Sequence, residues 1–215
     1  RVYLHHYQDM SKNRTNAIKL LELRLEENPH EPLTWYLLSR EYGVIGKDYD
    51  TANSVEWYKK SIESFEKALQ EPNVLKEKMV CAGCISILGD LYACIKDFPN
   101  AFKYYQKLIE LDKTYRTPYL GMAEIYNQLG LYQAAAGLVY EAMQTSVQHF
   151  DWTETGNIFS EKPYDILSVS YYFMGKYAEA KEMCEKALAF EPNNKRILKN
   201  YNAIKIALEK QKYKI

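Results

Sequence analysis

A 34-residue spacing recurs along this chain and constrains its fold more than any other feature. The stretch LGDLYACIKDFPNAFKYYQKLIELDK places Leu88, Gly89 and Tyr92 ahead of Ala101, Tyr105 and Leu108, and MAEIYNQLGLYQAAAGLVYEAM repeats the plan as Met122, Ala123, Tyr126, Ala135, Val139 and Ala142. Tyr92 to Tyr126 and Ala101 to Ala135 are both 34 positions. A third copy carries Leu167, Ser168, Tyr171, Ala180, Cys184, Ala187 and Pro192, and in all three copies tyrosine precedes alanine by nine. Apolar residues at i, i+3, i+4 and i+7 give each half of the unit one buried helical stripe. The small residues (Gly89, Ala123, Ser168; then Ala101, Ala135, Ala180) let the two helices of a pair approach closely. Gly130 and Gly175 end first helices where a left-handed residue is needed, and Pro29 and Pro192 stop second helices.

A period of 34 residues built from two helices is that of the tetratricopeptide (TPR) repeat. The expected fold is all-α, a TPR-like α-solenoid of antiparallel helical hairpins with irregular insertions and a C-terminal capping helix. Trp35, Leu38, Ser39 and Tyr42 form an earlier first helix, and Ser61, Phe65 and Ala68 its second; the tyrosine now precedes the small residue by 19, so about ten residues, Gly46 to Glu56, are inserted. Ala17, Leu21 and Pro29 mark a lone second helix before it. The TPR domain spans 11–215, with a half repeat at 14–30, repeats near 32–72, 82–115, 116–148 and 161–194, and a capping helix at 195–213. Further insertions fall near 72–79 and 146–161. A single hairpin cannot cover its apolar face, so repeats stack and the last needs a polar cap; Ile197, Leu198, Tyr201, Ile204 and Leu208 provide the stripe and lysines the rest.

Composition narrows the function. With 28 basic and 28 acidic side chains the net charge is zero, so no global field favours nucleic acid or anionic membrane. No apolar run reaches the roughly 20 residues that cross a bilayer. Four cysteines in a chain with a large core read as thiols of a reducing compartment, and the expected location is cytoplasmic. Cys81 and Cys84 form a C-x-x-C without a second ligand pair and read as buried cysteines. The chain opens at Arg1 in a strand-like RVYLHHY, which suggests that 1–10 are the tail of an upstream domain.

Three stretches resemble bacterial glycosyltransferases that join a family 2 (GT-A) catalytic domain to a C-terminal TPR region. RVYLHHY is similar to the last catalytic strand, which in that family often ends in His-Tyr-Gly, although Gln8 stands where the glycine belongs. NRTNAIKLLELRLEENPHEPLTWYLLSREY is similar to the first repeat, and KPYDILSVSYYFMGKYAEAKEMCEKALAFEPNNKRILKNY to the closing one. The resemblance implies a parent that uses a divalent metal and a nucleotide sugar, with His6 facing the metal; a solvent-exposed His5–His6 pair is the plainer reading. No Asp-x-Asp motif or nucleotide-sugar fold is present, so this chain itself is expected to be non-catalytic, without cofactor.

TPR proteins line their inner groove with set offsets of the first helices. Carried onto this sequence, that family rule names Tyr36, Arg40, Asp90, Glu124, Asn127, Gln128, Lys162, Asp165 and Tyr172 as a peptide-binding groove. Asp90, Glu124 and Asp165 stand where chaperone-binding TPR domains use Lys and Asn, and carboxylates there would favour a basic or polar peptide over a C-terminal carboxylate. Most of the 20 tyrosines hold repeat packing positions. Trp57 and Trp152 fall off them and are candidates for an interface, including that of a homodimer. Two functional readings follow: the accessory region of a glycosyltransferase, positioning a protein or peptide acceptor or mediating dimerisation, and a free-standing TPR adaptor that binds a peptide.

Overall fold

The computed structural model describes residues 14–147, 149 and 156–212. The strand expected at Val2 to His6, the His5–His6 pair and Trp152 lie outside these residues. Among the described residues there are eleven α-helices and no strand. The chain divides into two compact units, one ending at Glu77 and the other beginning at Lys78.

In the first unit, α1 (Arg14–Glu27) and α3 (Ser54–Ala68) both pack on α2 (Pro32–Val44). Pro32 opens α2 at a position where a missing N–H costs nothing. Ile18, Leu25, Leu38 and Ile45 form the core, with Leu21, Trp35, Tyr42 and Trp57 packed around them. The helices meet through small hydroxyl residues: Ser39 donates to Ser64 Oγ at 2.8 Å, and Ser61 donates to the Ser39 carbonyl at 2.7 Å. These bonds satisfy polar groups that burial would otherwise penalise by about 1–3 kcal/mol each.

The insertion expected between α2 and α3 is more helical than the sequence suggested. The helix widens into a π-turn at Ile45–Tyr49, followed by a 3₁₀ turn at Thr51–Asn53, and α3 is under way by Ser54. Gly46 sits four residues after Tyr42, but it does not take the left-handed conformation there. A Cβ at Gly46 would lie 2.8 Å from Trp57 Cβ, so this glycine is required for space. The second expected insertion contains a short helix, α4 (Pro72–Lys76), which packs on α2 and buries Val74 completely.

The second unit is three hairpins and a cap: α5 (Lys78–Cys94) with α6 (Phe98–Leu111), α7 (Thr117–Gln128) with α8 (Tyr132–Gln144), α9 (Glu161–Phe173) with α10 (Tyr177–Phe190), and α11 (Lys195–Lys212). Helices α5, α7, α9 and α11 lie side by side in that order. The repeat's small residues Ala101, Ala135 and Ala180 are fully buried, as are Ala123 and Ser168. Each first helix ends in the same turn. Lys96, Gly130 and Gly175 have φ of 61°, 78° and 74°; their N–H groups bond back to Ala93, Asn127 and Tyr172, and the next N–H reaches Tyr92, Tyr126 and Tyr171 at 2.8–2.9 Å. This paired bonding satisfies helix carbonyls that would otherwise be left open.

Tyr105 crosses the layer. From α6 its ring lies between Gly89 of α5 and Gly121 of α7, where a Cβ would approach ring atoms to within 2.5 and 2.4 Å respectively. Only glycine at both positions leaves room for it.

Candidate functional site

A recess of about 540 Å³ lies along the side-by-side helices of the second unit. Six of the residues named from the sequence line it: Asp90, Glu124, Asn127, Gln128, Lys162 and Asp165. The structure adds three that periodicity did not single out for this role, Lys96, Tyr105 and Arg196. Ile125, Ile166 and Val169 supply apolar wall.

The carboxylates, expected to stand open to a basic ligand, are engaged by the protein's own donors. Tyr105 Oη donates to Asp90 at 2.7 Å. Burial raises the Tyr105 phenol well above its ordinary value, and the Asp90 charge adds to this, so the group remains a neutral donor. Lys162 Nζ lies 3.2 Å from Glu124. Arg196 makes a two-pronged bond to Asp165, at 3.1 and 2.7 Å, the geometry that suits guanidinium to carboxylate. That bond raises the Arg196 pKa despite partial burial.

Glu124 and Lys162 form the pair on which the other recess charges act most. The Glu124 side chain keeps 47% of its surface, against 25% for Lys162, and both line the recess. Burial raises the Glu124 pKa, and Lys162 pulls it only partly back. For Lys162 burial acts to lower the pKa, but Glu124, Asp90 and Asp165 together outweigh it and the net shift is upward. The ammonium is therefore held charged by three carboxylates. Asn127 is likewise committed: it accepts from Ser170 Oγ at 2.8 Å and donates to the Ile166 carbonyl at 3.3 Å, fastening α7 to α9.

The remaining predicted residues are elsewhere. Tyr172 is half-buried on α9, edge-on to Phe173 at 5.2 Å, and does not line the recess. In the first unit Tyr36, expected to face a groove, is 3% exposed and packs edge-on against Phe65 at 6.1 Å, so it is a core residue. Arg40 lies 3.4 Å from Glu41. Trp57 stacks on Tyr42 and donates its indole N–H to Asp50 at 2.8 Å. It lines a separate cleft of about 910 Å³ between α1 and α3, whose floor includes Trp35, Leu38 and Tyr42. There too the polar edges are satisfied internally, Trp35 by the Pro29 carbonyl and Tyr42 by Glu22.

Cys81 and Cys84 are buried within α5, and burial pushes the Cys84 thiol up to about 12, far from the thiolate that metal binding or exchange needs. Among the described residues no cluster of three His, Cys, Asp or Glu side chains is arranged to hold a metal, and no helix is long and apolar enough to cross a membrane.

Comparison with known proteins agrees with this geometry. Residues 162–194 match the tetratricopeptide repeat model. Over 104 residues the chain is 34% identical to the 43 kDa receptor-associated protein of the synapse of Gallus gallus, an alignment covering 44% of this chain and 25% of the relative; the chain thus matches a quarter of that protein's length. The C-terminal part of a TPR repeat-containing protein from Cytophaga hutchinsonii superposes with a TM-score of 0.64 at 16% identity, covering 93% of this chain and 68% of that one. YrrB, described as a TPR protein with an unusual peptide-binding site, superposes with a TM-score of 0.56 at 18% identity over 86% and 81% of the two chains. The fold is that of a tetratricopeptide-type α-solenoid, and residues 162–194 carry the family's repeat.

Proposed function

We propose that this chain is a non-catalytic protein-interaction module whose second unit holds an extended peptide segment of a partner. The observation that carries the reading is the convergence of polar side chains from α5, α7, α9 and α11 on one recess, with its walls fixed by the Tyr105–Asp90, Lys162–Glu124 and Arg196–Asp165 couples. Side chains already held in place lose little further freedom when a ligand arrives, which favours binding. Peptide binding within this fold is in keeping with the description of YrrB. The buried thiols Cys81, Cys84 and Cys184 suit a reducing, cytoplasmic setting.

The resemblance to glycosyltransferase-linked repeats would place the recess beside a sugar-transferring domain, where it would hold a polypeptide acceptor. None of the relatives named above is a glycosyltransferase, so the interaction module stands as the reading and that parent as its more specific form.

Retention of randomised decapeptides on the immobilised chain, followed by fluorescence titration of the recovered sequences, tests the proposal. Glu124→Arg sets two cations against each other in the recess and is expected to weaken binding about tenfold. Glu110→Arg on exposed α6 is expected to leave it unchanged. Recovery of no peptide, or equal binding by both variants and the parent chain, refutes it.

A further inference from the structure

The cleft of the first unit, about 910 Å³, takes no part in the proposed peptide binding. Its floor is a stripe on α2, where Trp35, Leu38, Tyr42 and Ile45 follow at i, i+3, i+7 and i+10, the spacing of one helix face. Ten residues of helix rise about 15 Å, nearly three turns. The walls match that length: Ile18 to Glu26 on α1 and Trp57 to Lys67 on α3 line the two sides.

The polar groups of this floor are already spent. Trp35 donates to the Pro29 carbonyl at 2.7 Å, Tyr42 to Glu22 at 2.8 Å and Trp57 to Asp50 at 2.8 Å, while the Lys60 ammonium covers the Trp57 ring at 4.5 Å. An extended chain laid here would turn backbone N–H and C=O groups toward rings and aliphatic carbons that cannot pair with them. A helix satisfies those groups itself.

Charge narrows the choice further. On the α1 wall stand Glu22 and Glu26, one turn apart and both exposed, and no basic residue of α1 lines the cleft among the described residues. Asp50 and Glu63 bring the carboxylates to four against two ammonium groups, Lys60 and Lys67, in a chain of zero net charge. Glu26 has no hydrogen bond or ion pair among the described residues.

We infer that the first unit docks an amphipathic helix of a partner protein in this cleft, its apolar stripe on Trp35 and Tyr42 and a row of Lys or Arg along the flank that faces Glu22 and Glu26. Guest residues one turn apart repeat the spacing of the two glutamates, so two cations meet both carboxylates at once. The other flank meets Lys60, Glu63 and Lys67, whose mixed signs select little. Apolar burial supplies the affinity and the α1 carboxylates the preference. This surface is separate from the recess of the second unit.

Three synthetic peptides, titrated by fluorescence anisotropy against the full chain, test the inference. All carry a leucine stripe at i, i+3, i+4 and i+7; one has Arg along a flank, one has Glu there, and one is the Arg peptide with two central prolines that bar the helix. The Arg-flanked helix should bind, the Glu-flanked one about tenfold more weakly and the proline peptide not at all. Glu22→Gln with Glu26→Gln, which keeps an acceptor for Tyr42, should weaken the Arg peptide about tenfold and flatten its salt dependence. Glu26→Gln alone should weaken it about threefold with helical circular dichroism unchanged, being an exposed residue. Glu124→Arg in the recess should leave this binding as it is. No binding of the Arg peptide, equal binding of either other peptide, or an affinity indifferent to the glutamine pair overturns the inference. A loss confined to Glu124→Arg also overturns it, by assigning the peptide to the recess, and leaves the peptide-binding reading of the second unit intact.

Discussion

The two units treat one repeat position in opposite ways. Four residues after the repeat tyrosine, the first unit has Gly46, which stays out of the left-handed region and presses against Trp57, while the second has Lys96, Gly130 and Gly175, all left-handed. Glycine serves in one case because no side chain fits, and in the other because the backbone must turn. The consequence reaches the sites: in the first unit the helix runs on through a π-turn beside an aromatic cleft, and in the second the sharp turn brings Lys96 to the rim of a charged recess.

The sharpest separation of the two roles comes from paired substitutions. Gly46→Ala forces a methyl to within 2.8 Å of Trp57 Cβ and 3.0 Å of the Ser54 carbonyl, where neither can swing aside, and it should cost about 2 kcal/mol in urea unfolding. Gly46→Asn should be no milder, since the obstacle is steric. At Gly175 nothing lies within 4 Å of an added Cβ, so Gly175→Ala should cost only the left-handed penalty, about 1 kcal/mol, and Gly175→Asn less, because asparagine tolerates that conformation. Equal losses for Ala and Asn at both sites would erase the distinction.

Lys96→Gly tests the same contrast with the opposite sign. Relief of the left-handed strain, partly offset by the lost attraction of the ammonium to the helix end, should stabilise the chain by about 0.5 kcal/mol. Destabilisation would mean that Lys96 supports the fold.

A small, pH-dependent effect is expected in the turn between α6 and α7. Thr114 donates to Asp112 through both its hydroxyl, at 2.6 Å, and its N–H, at 3.0 Å, and Lys78 stands 3.1 Å away. These bonds lower the Asp112 pKa to about 2. A depressed carboxylate contributes stability that is fully present above its unfolded pKa of about 3.9 and is lost as pH falls through its folded value. Asp112→Asn should therefore cost under about 1 kcal/mol at neutral pH after solvent screening, with the deficit narrowing between about pH 4 and 2. In the first unit, Asp50 ties its turn through Trp57 and Asn53, which lower its pKa in the same sense. A variant whose deficit does not change with pH would show that the turn holds without the ionised group.

Legibility in the sequence follows the range of the interaction. Positions that recur in every repeat report local packing, so Ala101, Ala135 and Ala180 could be placed in the core, and the groove offsets gathered Asp90, Glu124, Asn127, Gln128, Lys162 and Asp165 on one recess. Pairings outside the period could not be seen. Arg196 read as part of a solvated cap, although it reaches back 31 residues to Asp165; Tyr105 read only as packing, although its hydroxyl reaches Asp90. Tyr36 failed for a related reason: the offset rule assumes regular neighbours, and in the first unit its ring lies against Phe65 while α4, read as linker, packs on the same helix.

The placement of Tyr105 bears on how this module can change over evolutionary time. Its ring is held by two glycines in the interior, and its hydroxyl ends on a recess carboxylate. Drift at Asp90 is thus answerable to folding as well as to the partner, and the same holds for Glu124 and Asp165 through their cations. Gln128, exposed at the recess rim, is tied into no such couple among the described residues, so new partner preferences can arise there by single substitutions, while the coupled part of the recess is inherited as a block.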